Sequence, residues 1–298
     1  MAPGARRTRS RRSRCPGRGP PRSRRVLYPT LFTLSIGGHG WDVASYRAAF
    51  VAAGFATALI AWALARRRGL PARRSLAVIA VAGLAVPVGG RAWHMVTNPS
   101  VYAADPVAAL SLSPVGFAMF GAVLAAALSG LTAARVLRLD MWRLADAAAP
   151  ALGVGIAIQR VGCFAAGCCF GRVTQGPLGV TYPPGSLSHL MQIAHGAVGL
   201  FERPLPVFPT QLFELAGALA CAALALLVLA GRAPDGSAFL VFVGTFALVR
   251  WVNWGLRVPP DSLAAPAWVY PVLYATTIAL CAVIGALRWR ARRQAAGI

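Results

Sequence analysis

Residues 45–74 read SYRAAFVAAGFATALIAWALARRRGLPARR, and this stretch decides the fold. No charged residue occurs from Ala48 to Ala65, and Arg66-Arg67-Arg68 then closes the run. An apolar block of about 20 residues is what an α-helix needs to cross ~30 Å of hydrocarbon. Comparable blocks follow, so seven spans are expected, near 45–65, 75–95, 112–133, 144–162, 209–230, 237–256 and 267–288. The fourth fits least well, with Asp146 near its start and Arg160 near its end. The predicted fold class is an all-α, polytopic transmembrane helical bundle. An irregular or partly re-entrant outer loop is expected over 163–208, between spans 4 and 5, where Pro183-Pro184-Gly185 and Pro204 break regular structure. Composition excludes an ordinary soluble domain: the 298 residues are 57% hydrophobic and 13% charged, against about 25% charged in soluble proteins.

The net charge is +22, and every basic residue is arginine. Ten arginines and no acid fall in residues 1–25. Residues 1–27 are expected to be a disordered tail, or to reflect a start assigned too far upstream, rather than a nucleic-acid-binding arm or a signal peptide. The membrane domain is placed at 28–290 and a basic cytoplasmic tail at 291–298. Arginines mark the 66–74 loop, the 134–143 loop and the C-terminus, whereas 96–111 has none. The positive-inside rule then puts the C-terminus in the cytoplasm and the N-terminus outside, in a multi-pass protein of the inner (plasma) membrane.

Ionisable residues at membrane depth are costly and mark function. Arg47, Arg91, Arg160, Arg250 and Arg257 outnumber the acids near apolar runs, Asp42, Asp146, Glu214 and Asp261. A surplus of guanidinium implies an anionic ligand, and the planar fork of arginine suits phosphate. Residues 159–172 read QRVGCFAAGCCFGR. The C-x4-C-C spacing does not suit a tetrahedral metal cage, and a vicinal disulfide is strained, so neither metal nor cofactor is expected. Cys221 and Cys281 lie in apolar runs and are expected to pack as small hydrophobes.

Arg160 to Gly171 resembles the signature of the prolipoprotein diacylglyceryl transferase family in the variant reading R-x-G-C-F-x-x-G-C-C-x-G, and the match continues through Gly179-Val180-Thr181-Tyr182-Pro183. Tyr46, Gly89-Gly90-Arg91, Pro209-Thr210-Gln211-Leu212-Phe213-Glu214 and the pair Arg250 and Arg257 resemble further family segments, in the family's order. The resemblance implies transfer of a diacylglyceryl group from phosphatidylglycerol to the lipobox cysteine thiol of a preprolipoprotein, releasing glycerol phosphate. It implies Arg160, Arg250, Tyr46 and Glu214 as catalytic residues. Arg160, Gly171, Arg257, Arg91 and Gln211 would hold the lipid headgroup. Its partners are phosphatidylglycerol, the lipobox peptide and membrane lipid. Arg172 is placed outside the core of the site, and the thiol comes from the substrate, so Cys163, Cys168 and Cys169 are expected to be structural. Where the family motifs carry other groups, this chain has Phe120, Gln159, Phe208 and Trp254. The alternatives are a catalytically altered paralogue that binds an anionic lipid, a small organic-anion transporter and a purely structural membrane protein.

Overall fold

The computed structural model describes residues 30–36, 39–110, 117–231, 233–258, 266 and 268–295, with the backbone alone over 30–43. The tail at 1–27, Asp261 and the side chain of Asp42 lie outside what is described. The helices are α1 Ser45–Arg67, α2 Ala72–Thr97, α3 Pro99–Ala104, α4 Met119–Val136 and α5 Met141–Ala166. They continue with α6 Leu187–Ala194, α7 Thr210–Ala230, α8 Ser237–Leu256 and α9 Val269–Ala295. Seven of these, α1, α2, α4, α5, α7, α8 and α9, are long and apolar enough to cross a membrane. Each expected span therefore has its helix, and the molecule is a polytopic helical bundle. The third begins at Met119 rather than 112, and α9 runs unbroken to Ala295, through the arginines assigned to a tail.

One addition precedes the bundle. Thr30–Ile36 (β1) and His39–Ala44 (β2) pair as an antiparallel ribbon leading directly into α1. Thr, Phe and Ile favour extended backbone, but a seven-residue run is too short to stand out beside a transmembrane block.

The misfit fourth span is the centre of the structure. In α5, 56% of the apolar window is buried, against 6–28% in the other six spans. It packs against α1 on one side and α7 on the other, with α8 also in contact. Asp146 and Arg160, at 2% and 4% exposure, are therefore enclosed by protein, not lipid. Close approach depends on small residues. A Cβ on Gly162 would stand 2.3 Å from the Cβ of Ala49 in α1. Alanines fill much of the core, with Ala147, Ala149, Ala151, Ala218 and Ala225 at 0% exposure.

The arginine-marked loops meet at one end of the bundle. Asp146 of α5 accepts from the backbone N–H groups of Gly236 and Phe239, at 2.8 and 3.0 Å, capping the start of α8. Arg68 bridges to Asp146 at 3.5 Å and to Asp235, which Arg143 also meets at 3.0 Å. Arg288 of α9 donates to the Asp235 carbonyl at 2.9 Å and stacks on Trp142. The loop after α1, the start of α5, the α7–α8 connection and the end of α9 are thereby tied together.

Candidate active site

At the opposite end, α5 and α8 finish where α1 and α7 begin. Glu214 lies in the second turn of α7 and is 2% exposed. Its Oε1 accepts from Arg160 Nη2 of α5 at 2.9 Å and from Arg250 Nη1 of α8. Its Oε2 lies 3.9 Å from Arg257 Nη1, at the end of α8. Asn253 Nδ2 donates to the Thr210 carbonyl at 3.1 Å and reaches Glu214 Oε2 at 3.5 Å. Residues 250 and 253 share one helix face because they are three positions apart, and Arg257 follows at the C-cap of α8 with extended backbone. Three guanidiniums thus converge on one carboxylate, leaving two positive charges in excess within the group. Arg160 Nε and Asn253 Oδ1 are buried with no hydrogen-bond partner. The arrangement suits an anion.

The 167–209 segment closes over this cluster. It holds α6 and three isolated bridges, Gly171–Arg257, Val173–Val207 and Val180–Val207. Gly171 donates its N–H to Phe208 O at 2.8 Å. A Cβ there would stand 2.6 Å from the Leu256 carbonyl and 2.8 Å from Phe208 and Thr210 side-chain atoms. The chain's own atoms thus fill the space beside Gly171, which holds the loop against the end of α8. Gln211, fully buried, donates through Nε2 to the Cys168 carbonyl and to Tyr182 Oη at 3.1 Å, while its Oε1 has no partner. Burial pushes the Tyr182 phenol up to about 12, so it is neutral when it accepts that bond.

The remaining residues divide. Tyr46, in the first turn of α1, lies beside Gly162 and within electrostatic reach of Arg160 and the three cysteines. Arg91 forms a separate group on α2, with Tyr102 Oη at 3.4 Å and its guanidinium over the Phe117 ring at 4.4 Å. Those contacts do not reach Glu214. Arg47 is exposed on α1. Arg172 is exposed and donates to the Arg257 carbonyl at 3.2 Å, outside the buried cluster. Phe120 and Trp254 pack with Tyr270, the indole stacking on it at 4.4 Å between centroids.

Two features were missed in the sequence. Asn253 carried a usable signal, its position one turn from Arg250. The grouping of the cysteines carried none: the C-x4-C-C spacing does not suit a tetrahedral cage, yet folding brings Cys163, Cys168 and Cys169 Sγ atoms within 4.8 Å of one another. The left-handed Cys169 (φ 59°) and Gly167 (φ 67°) turn the chain back on itself.

A family model described as prolipoprotein diacylglyceryl transferase matches residues 32–291. A phosphatidylglycerol–prolipoprotein diacylglyceryl transferase of Geobacter sulfurreducens is 31% identical over 241 residues, covering 79% of this chain and 84% of that protein. Proteins of the same name from Dehalococcoides mccartyi and Brucella anthropi are each 29% identical, over 209 and 222 residues. These alignments cover 68% and 72% of this chain, and 74% and 73% of those proteins.

Proposed function

The chain belongs to the prolipoprotein diacylglyceryl transferase family, and from that premise we propose that it moves a diacylglyceryl group from phosphatidylglycerol to the lipobox cysteine of a preprolipoprotein. The single observation that carries this reading is the excess of buried guanidinium around Glu214. In the reaction the substrate sulfur forms a bond to the glyceryl carbon, the carbon–oxygen bond to phosphate breaks, and glycerol phosphate leaves. Charge grows on that phosphate, and preorganised donors stabilise it most where water is excluded. Arg160 is the most enclosed of the three and carries the unpaired Nε, so it is the phosphate clamp, with Arg250 and Arg257 holding the headgroup. Both oxygens of Glu214 face guanidiniums, which supports an orienting role over a role as base. The cationic group also favours the substrate thiolate. Tyr46 is the remaining candidate for handling the thiol proton. The site faces away from the cytoplasm in this reading, in the plasma membrane, with the C-terminus inside.

The test is lipid transfer to a lipobox peptide from phosphatidylglycerol, with variants normalised to inserted protein. Arg160→Ala should lose about 3 kcal/mol or more of transition-state stabilisation, on the order of a hundredfold in rate. Arg160→Lys should remain impaired because the bidentate fork is gone, whereas Arg172→Ala should cost much less. Transfer by Arg160→Ala at the parent rate sinks the clamp. The second reading, an altered paralogue that binds an anionic lipid, draws on the aromatic packing at Phe120 and Trp254. Phosphatidylglycerol binding without transfer by the parent protein would favour it, and anion flux without lipid consumption would favour a transporter.

A further inference from the structure

We propose that Cys163, Cys168 and Cys169 form a three-coordinate site for one soft monovalent metal ion, of the Cu(I) class. The three Sγ atoms lie within 4.8 Å of one another, and all three thiols are free. A trigonal ion at ~2.3 Å from each sulfur needs sulfur separations near ~4 Å, so binding asks for only a small closure. Thiolates select soft ions. The group contains no histidine or carboxylate to complete the tetrahedron zinc prefers. Glu214, the nearby acid, is held by Arg160 and Arg250.

The donor set is built into the backbone. Thr210 Oγ1 donates to the Cys169 carbonyl at 2.7 Å, and Gln211 Nε2 donates to the Cys168 carbonyl. These bonds hold the turn in which Cys169 takes a left-handed conformation that non-glycine residues rarely adopt, and such strain concentrates at functional sites. Cys163 is 1% exposed while Cys168 and Cys169 are half-buried, so an ion can enter from the loop side.

Charge selects the valence. Three thiolates and a monovalent ion carry two negative charges, matching the two positive charges left over around Glu214. Arg160 Nη1 already lies 3.7 Å from Cys163 Sγ. Loading releases the thiol protons to solvent and cancels the cationic excess. The loaded protein should therefore lose its hold on the lipid phosphate. That consequence rests on the transferase reading, whereas the binding does not.

The experiment titrates the full-length purified protein with Cu(I) against a colorimetric chelator, without oxygen. The expected result is one tightly held ion per chain. Cys163→Ser, Cys168→Ser and Cys169→Ser should each weaken it by about a hundredfold or more, since even outer partners of a metal site are worth 10–100-fold. A Cys221→Ala, Cys281→Ala double variant should bind as the parent does. X-ray absorption of the loaded parent should show three sulfur ligands, a readout that needs no variant to fold. Failure of the parent to take the ion from the chelator, parent-like binding by the triple serine variant, or a two-sulfur ion overturns the site. Unchanged lipid transfer by loaded protein overturns the charge cancellation. Transfer absent in both loaded and metal-free protein counts against the transferase reading and leaves the site standing on its binding data.

Discussion

Among the described residues, Glu214 carries the only negative charge that Arg160, Arg250 and Arg257 meet in an ion pair. A Glu214→Gln variant keeps the shape and leaves those guanidiniums facing one another. Breaking a buried ion pair costs about 3–5 kcal/mol. The Arg250 and Arg257 side chains are 19% and 15% exposed, so solvent screening puts the expected loss at the lower end. Thermal unfolding in detergent should show it, with partial recovery on adding phosphatidylglycerol, whose phosphate replaces the missing charge. A melting temperature equal to the parent's would refute this. The arginines and Glu214 were legible in the sequence because charge is so expensive at membrane depth that its position alone is informative. Arg91 shared that signal yet sits in another group, since depth says nothing about which helices are neighbours.

Among elements, all seven spans were legible, because twenty apolar residues between arginines have one reading in a membrane protein. The short α3 and α6 and the β-ribbon carry too few residues for such a signal. The pairing of α1 with α5 was also invisible, since every apolar face suits lipid as well as protein. Gly162 makes that pairing possible, and Gly54, on the same α1, has nothing within 4 Å of where a Cβ would stand. Gly162→Ala should cost about 1–3 kcal/mol by forcing the helices apart. Gly54→Ala should be neutral or stabilise by about 0.5–1 kcal/mol. Melting curves of the two variants check both, and equal effects would mean that the α1–α5 contact is not a tight one.

At the scale of the whole molecule, the two ends of the bundle are chemically distinct. One ties Arg68, Arg143 and Arg288 to Asp146 and Asp235, and the other concentrates Arg160, Arg250 and Arg257 on Glu214. The end with the arginine-rich loops should face the cytoplasm. A C-terminal fluorescent-protein fusion should glow and a C-terminal alkaline phosphatase fusion should be inactive; the reverse would invert the orientation. The contact between α1 and α5 also sets a timetable for biosynthesis. Roughly 95 residues separate the end of α1 from Gly162, which ribosomes add in about 5–20 s at 5–20 residues per second. Through that interval α1 is in place without its partner, while α4, which ends at Val136, is completed before Gly162 and can pair with α2 first. Tyr46 therefore meets Gly162 only when α5 arrives, and Glu214, Arg250 and Arg257 follow later still, so the newborn protein is membrane-inserted for seconds before the guanidinium cluster can assemble.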